Sequence, residues 1–91
     1  MVYLDKARNG FGRMVMCHMI ADTEDELHAM AARIGLRREW YQGDASTPHY
    51  DVNLSRRAAA IKHGAVVCER REFVRIIQAK RERDALGMET P

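Results

Sequence analysis

Signals of several protein classes are missing from this sequence of 91 residues. Its only cysteines, Cys17 and Cys68, are too few for a disulfide framework and favour a reducing compartment. No apolar run approaches the ~20 residues that a membrane span needs, and the first residues lack the basic and apolar segments of a signal peptide. These absences predict a cytoplasmic protein with no membrane partner.

The motifs of common cofactor sites are missing as well. The sequence has no P-loop, no H-E-x-x-H and no G-x-G-x-x-G that opens a helix. Its histidines and cysteines lack the compact spacing of structural zinc sites. The pattern therefore identifies no cofactor and predicts no metal site. A net charge of +2 is also too small to indicate a nucleic acid partner by itself.

The sequence does contain the composition of a folded globular domain. Hydrophobic residues make up 46% of it and charged residues 31%, so there is enough apolar surface to offset chain entropy. We expect one domain over residues 1–91, with a frayed tail at residues 87–91.

Hydrophobic periodicity predicts alternating strands and helices. The predicted strands cover residues 2–4, 14–21, 38–42, 49–52 and 65–68, the last of them central in the sheet. The first predicted helix covers residues 23–34, with a cap at Thr23, an end at Gly35 and a buried stripe of Leu27, Met30, Ala31 and Ile34. The second covers the segment between a cap at Asn53 or Ser55 and Gly64, and the third covers residues 71–86. Residues 9–12 have the composition of a turn. This order indicates an α/β fold, a small layered domain with a mostly parallel sheet of three to five strands and three helices.

Histidine and aspartate provide the candidate catalytic residues. His49 and Asp51 are two positions apart in an extended segment, so their side chains share one side of it. Such a pair can coordinate a divalent ion or orient one imidazole for general-base catalysis. Asp22 directly follows a predicted strand, at the end where α/β folds bind ligands. The candidate catalytic residues are therefore His18, His49, Asp51 and Asp22.

His18 interrupts an apolar strand and must find a hydrogen-bond partner there, because an unpaired buried polar group costs ~1–3 kcal/mol. A nearby aspartate would serve. The alternative is that His18 is a satisfied core histidine without a chemical role. Cys17, its neighbour, is a poor candidate nucleophile, since an apolar strand raises the pKa of a thiol.

Arginines and one tryptophan provide candidate ligand-binding residues. Arg13 follows a glycine-containing turn, and Arg57 lies at a helix start, where free N–H groups and arginines converge on anions. Trp40 can stack on a ring or fill the core. Basic residues are concentrated between residues 55 and 83. Such a concentration of positive charge either attracts phosphate or is only the solvated face of a helix. The candidate ligand-binding residues are Arg13, His28, Trp40, Arg57 and Asp5.

The block M-V-M-C-H-M-I-A-D-T at residues 14–23 is the most specific segment of the chain. With Trp40, Gln42 and residues 49–51, 55–58 and 64–65, it resembles a bacterial and phage family known as domain of unknown function 4031. The likeness covers residues 2–68. It implies a compact stand-alone domain with a shared polar set, which indicates a pocket but supplies no activity. Family members usually begin with a Y-V-D-D-like strand, whereas Lys6 replaces the second acidic residue here.

Three hypotheses follow from these residues. The first is a pocket for a small ligand, such as a nucleotide or another phosphate compound, with hydrolytic chemistry at His18, His49 and Asp51. The second is a non-catalytic module whose basic C-terminal helix docks a protein, a second copy of the chain or nucleic acid. The third is a hydrogen-bond network that only holds the fold. Convergence of at least three of the histidines and aspartates at an accessible cleft would favour the first.

Overall fold

A computed structural model describes residues 1–11, 14–45 and 47–85, with the backbone alone at Asn9 and Phe11. The predictions for Arg13 and for the frayed tail lie outside the described residues. The elements are, in chain order, strands β1 (Val2–Leu4), β2 (Asn9–Phe11) and β3 (Met14–Ala21), helix α1 (Glu24–Arg33), a 3-10 helix (Arg38–Trp40), strand β4 (Tyr50–Asn53), helix α2 (Leu54–Lys62), strand β5 (Val66–Val67) and helix α3 (Arg70–Ala85).

The sheet is mixed, and the prediction of a mostly parallel sheet is wrong. One edge of β3 pairs with β4, and its other edge pairs with β1 and β2 placed end to end; all three pairings are antiparallel. Only β5 runs parallel to its neighbour β1. Before α1, strands β1 and β2 run in one direction and β3 runs back beside them. Residues 34–49 then return the chain so that β4 begins with Tyr50 opposite Met19. A direct helical crossover would have made that pair parallel.

Three local predictions were also wrong. Residues 38–42 form the 3-10 helix and a single bridge from Gln42 to His49 instead of a strand, although their aromatic residues favour strands. Asn9 and Gly10, assigned to a turn, belong to β2 and pair with β3. The strand at Val66–Val67 is shorter than predicted and lies at the edge of the sheet, paired with β1.

A break in strand register places Asp5 beside His18. Leu4 is opposite Met19, but Asn9 is opposite Met16, so the chain has extra residues between β1 and β2. At this bulge the backbone N–H of Asp5 donates to the backbone oxygen of His18 at 3.2 Å. The N–H of His18 donates to the Asp5 carboxylate at 2.9 Å instead of to a backbone carbonyl. The Asp5 carboxylate therefore takes the place of a backbone carbonyl as acceptor where the strand pairing is interrupted.

The larger core lies between one face of the sheet and helices α1 and α2. Alternate residues of β3 point into it, together with fully buried Leu4, Tyr50 and Val52. Each helix begins at a side-chain cap: Thr23 accepts from the N–H of Glu26, and Asn53 accepts from the N–H of Arg56. The predicted cap and apolar stripe of α1 are confirmed, and of the two caps predicted for α2 Asn53 is the one observed.

The opposite face is covered only in part. Ile20, Cys68 and Phe73 form a small buried cluster under α3, with Tyr3, Ile76 and Ile77 at its border. His18 lies on the same side of β3 as Ile20, two positions earlier in the strand, and remains half-buried. Within the described residues, no helix is long and apolar enough to cross a membrane.

Candidate functional site

Strands β3 and β4 bring the candidate catalytic residues together. His18 and Asp51 are directly opposite each other in this antiparallel pair. His49 precedes Asp51 by two positions, and its side chain lies on the same side. One ligand atom from each of His18, His49 and Asp51 lies within 4.8 Å of the other two. Three of the four candidate catalytic residues thus meet at one place.

The Asp51 carboxylate is the centre of this cluster. Its Oδ1 lies 3.4 Å from His49 Nε2 and 3.9 Å from His18 Nε2. Its Oδ2 accepts a hydrogen bond of 2.8 Å from Gln42 Nε2. The two imidazole rings meet edge to face, with centroids 5.2 Å apart. Gln42 therefore orients the carboxylate so that its other oxygen faces both imidazoles.

Asp5 orients His18 from behind. Its Oδ2 lies 2.6 Å from His18 Nδ1, and the residue is only 8% exposed. Burial alone would raise the pKa of Asp5, but the hydrogen bonds from His18 outweigh it and the pKa is lowered. The hydrogen bond to Asp5 raises the pKa of His18, against the opposing effect of burial. Asp5 and His18 therefore stabilise each other's charged forms.

His49 is oriented by the backbone. Its Nδ1 lies 2.8 Å from the backbone oxygen of Thr47. A carbonyl oxygen can only accept, so this nitrogen carries a proton. The remaining nitrogen, Nε2, points to Asp51. Both imidazoles thus direct Nε2 towards the same carboxylate oxygen.

The cluster borders a cleft of about 520 Å³ between the sheet and α3. Lys6 and Arg70 add positive charge to its walls, and Phe73, Val74 and Ile77 form an apolar side. Lys6 Nζ also pairs with Glu69 at 2.7 Å. The remaining lining residues are Asp5, Ala7, His18, Ile20, Ala45, Thr47 and His49. A small anion with an apolar substituent fits such a cleft chemically.

A second cleft, of about 620 Å³, lies on the other side of Asp51. Trp40 is 44% exposed there and does not fill the core. The guanidinium groups of Arg37 and Arg56 lie 5.8 Å and 5.7 Å from the centre of its ring. Asp51 lines this second cleft, whereas His18 and His49, which face its carboxylate, line the first.

Asp22 lies elsewhere. It follows β3 four positions beyond His18, which places it roughly 13 Å away along the strand. Its carboxylate accepts from the hydroxyl of Tyr3 at 3.1 Å. Its backbone oxygen accepts from Lys80 and Arg83 at 3.3 Å and 3.0 Å. These contacts tie α3 to the end of β3.

His28 and Arg57 lie on the other side of the sheet. His28, on α1, hydrogen-bonds the hydroxyl of Tyr50 at 2.9 Å through Nδ1. Arg57, on α2, lies near the thiol of Cys17, whose pKa is raised mainly by burial. Neither residue lines the cleft beside His18.

Sequence reasoning missed the roles of Gln42 and Arg70. Gln42 is brought to Asp51 by the bridge that joins Gln42 and His49, a long-range pairing that no periodicity reveals. Arg70 precedes Phe73 and Ile77 by three and seven positions, so helical spacing puts it on the face that α3 turns to the sheet. That spacing could have identified it. The need of His18 for an aspartate partner was expected, but only the register break shows that it is Asp5.

Comparison with known families places the chain in one of them. It belongs to the family described as Protein of unknown function (DUF4031), which matches residues 2–80. The predicted resemblance is confirmed, and the match extends into α3, which was expected to lie outside it. No curated protein and no solved structure matches the chain.

Proposed function

We propose that this protein binds a small phosphate compound in the cleft between the sheet and α3 and hydrolyses it beside His18, His49 and Asp51. The observation that carries the proposal is the convergence of these three side chains at the border of an accessible cleft. A network that only held the fold would not need two imidazole nitrogens and a carboxylate oxygen directed at one point of the surface.

The cleft supplies the charge that a phosphate group needs. Arg70, at the first turn of α3, and Lys6 line it, and the apolar side chains of Phe73, Val74 and Ile77 line it further along the same helix. Arginine binds phosphate oxygens through two parallel N–H donors, which also fixes their orientation. We assign the phosphate to this side and the organic substituent to the apolar wall.

The cluster provides the means to activate water. In hydrolysis the water oxygen bonds to phosphorus, the bond from phosphorus to the ester oxygen breaks, and the leaving alkoxide gains a proton. The proton that water loses needs an acceptor close to the attacking oxygen. The cluster presents Nε2 of His18, Nε2 of His49 and Oδ1 of Asp51 at that place. Asp5 and Gln42 hold two of these groups in position.

Binding is tested by titrating the protein with inorganic phosphate and following backbone amide signals by NMR, with a chelator present. We expect shifts at Lys6, His18 and Arg70. Arg70→Gln should weaken phosphate binding by about tenfold, since one charge-assisted contact is lost. Arg71→Gln, the neighbouring exposed arginine outside the cleft, is the matched control and should bind as the wild type does.

Hydrolysis is tested with p-nitrophenyl phosphate in the presence of divalent metal salts. We expect His49→Ala to lower kcat/KM by about 100-fold or more, and His63→Ala, an exposed histidine at the end of α2, to leave it unchanged. Absence of both phosphate-induced shifts in the cleft and turnover by the wild-type protein would refute the proposed function.

A further inference from the structure

We propose that His18 Nε2, His49 Nε2 and Asp51 Oδ1 bind one divalent transition-metal ion, with Zn²⁺ as the best fit. The chemical role of this ion rests on the proposed function, because it would activate the hydrolytic water in place of direct proton transfer to these three side chains, but its binding does not. Two imidazoles and one carboxylate are a donor set that zinc accepts in proteins.

The distances fit a tetrahedral ion. Zinc bonds of ~2.0–2.1 Å at the tetrahedral angle separate two ligand atoms by roughly 3.3 Å. His49 Nε2 and Asp51 Oδ1 are 3.4 Å apart, which needs no rearrangement. His18 Nε2 and Asp51 Oδ1 are 3.9 Å apart, about half an ångström more than that separation. All three ligand atoms lie within 4.8 Å of one another, so side-chain movement has to bring His18 closer. Strands β3 and β4 fix the backbone on which these atoms stand.

The hydrogen bonds behind the ligands select the correct nitrogen. His18 Nδ1 lies against Asp5 Oδ2 at 2.6 Å, and His49 Nδ1 lies against the backbone oxygen of Thr47 at 2.8 Å. A carboxylate and a carbonyl accept, so both Nδ1 atoms carry protons and both neutral rings offer a lone pair at Nε2. Metal-binding histidines in proteins have this pair of contacts, an acceptor behind Nδ1 and the metal at Nε2.

The third ligand is prepared in the same way. Gln42 donates to Oδ2 of Asp51 and leaves Oδ1 facing the two imidazoles. When both rings are neutral, they and the carboxylate direct three lone-pair atoms at one another, which is repulsive. A divalent cation at their centre turns this repulsion into attraction. Each of the three side chains has its own orienting partner, in Asp5, Thr47 and Gln42.

Three protein ligands leave one position of a tetrahedral ion for water. Zinc sites that only support structure use four protein ligands, whereas catalytic sites use three and keep one position open. His18, His49 and Asp51 remain 35%, 16% and 38% exposed, so water reaches the centre. A bound Zn²⁺ lowers the pKa of its water to ≈ 7, which provides hydroxide at neutral pH.

Binding is tested by calorimetric titration of the full chain with Zn²⁺ after treatment with a chelator, without phosphate. We expect one Zn²⁺ per chain. His49→Ala and Asp51→Asn should each weaken binding by about 100-fold or more, because each removes a direct ligand. His63→Ala is the matched control and should bind as the wild type does. With Co²⁺ in place of Zn²⁺, the visible absorption of a tetrahedral site should appear in the wild type and in His63→Ala alone.

Failure of this inference is distinguishable from failure of the proposed function. A wild-type chain that binds no Zn²⁺, or variants that all bind it equally, would overturn the metal site and leave phosphate binding in chelator unaffected. Zinc bound with the expected stoichiometry, but no phosphate shifts and no turnover, would refute the hydrolytic function and leave the metal site standing. If His49→Ala does not fold, Asp51→Asn, which keeps the shape of the side chain, decides the point.

Discussion

The two faces of the sheet are completed differently. Helices α1 and α2 cover the first face, and the large core between them includes Leu4, Tyr50 and Val52, none of which is exposed. A single helix, α3, covers part of the second face and forms a much smaller buried cluster around Phe73. Most of the hydrophobic stabilisation therefore comes from the first face, since it scales with the apolar area buried.

Polar side chains follow the same division. On the first face, His28 is paired through Nδ1 with the hydroxyl of Tyr50 and packs edge to face against Tyr41, so this nitrogen has its partner within the packed layer. On the second face, His18 and Asp51 occupy strand positions that α3 leaves open. The comparison indicates that the first face holds most of the fold, and that part of the second stays open where the proposed site lies.

The largest expected effect tests this division through two matched truncations. Leu4→Ala and Ile77→Ala remove the same number of carbon atoms, from the first core and from the border of the second cluster. We expect Leu4→Ala to lower the free energy of unfolding by about 3 kcal/mol, because Leu4 is fully buried and leaves a cavity. Ile77 is only half-buried, so its loss should cost about 1 kcal/mol.

Denaturant unfolding followed by circular dichroism measures both values. Equal losses, or a larger loss for Ile77→Ala, would show that the second face contributes as much to stability as the first. If the slope of the free energy of unfolding against denaturant concentration is the same in the wild type and both variants, the shifts in midpoint report stability alone.

The same division explains what the sequence could predict. The strand at Met14–Ala21, the Thr23 cap and the glycines that end α1 and α2 depend on local patterns, and the structure confirms them. Strand order and direction depend on contacts between distant segments, so the mixed sheet was not foreseen. The short spacing of His49 and Asp51 identified two residues of the cluster correctly as neighbours.

The rest of the site could not be derived from local patterns. His18 joins His49 and Asp51 only because β3 pairs with β4 in one register, and a slip by one residue would turn it to the other face. Asp22 was predicted as a catalytic candidate because it directly follows the same strand. In the structure its neighbours are instead Tyr3, Lys80 and Arg83. Spacing along the chain gave no complete metal site because His18, one of the three proposed ligands, comes from a segment far from His49 and Asp51.

An intermediate effect is expected at the pair that links the fold to the open face. Asp5→Asn keeps the shape of the side chain but removes its charge beside His18. We expect a loss of about 1–3 kcal/mol near pH 5.5, the usual cost of weakening a hydrogen bond to a charged group. In metal-free protein, NMR should show His18 titrating above 6.5, its ordinary pKa, in the wild type and nearer to that value in the variant.

The pH dependence of this loss follows from the two pKa shifts. The pKa of His18 is raised, so its contribution is complete below 6.5 and is lost as the pH rises through the folded value. The pKa of Asp5 is lowered, so its contribution is present above 3.8 and is lost as the pH falls through the folded value. The difference between wild type and variant should therefore be greatest between these two limits. A difference independent of pH would contradict the charged pair.

The smallest effect concerns how the helices of the first face begin. Thr23 Oγ1 accepts from the N–H of Glu26 and donates to its carboxylate at 3.0 Å, so both contacts hold the cap at the start of α1. Thr23→Ala should lower the free energy of unfolding by about 1 kcal/mol, because an N–H at the helix end loses its acceptor.

Ser55→Ala is the matched control for this prediction. Ser55 is exposed near the start of α2, whose cap is Asn53, so its substitution should change the free energy of unfolding by no more than about 0.5 kcal/mol. Equal losses at both positions would mean that α1 is held by its buried stripe of Leu27, Met30 and Ala31 and not by its cap. The covering of the first face would then depend on packing alone.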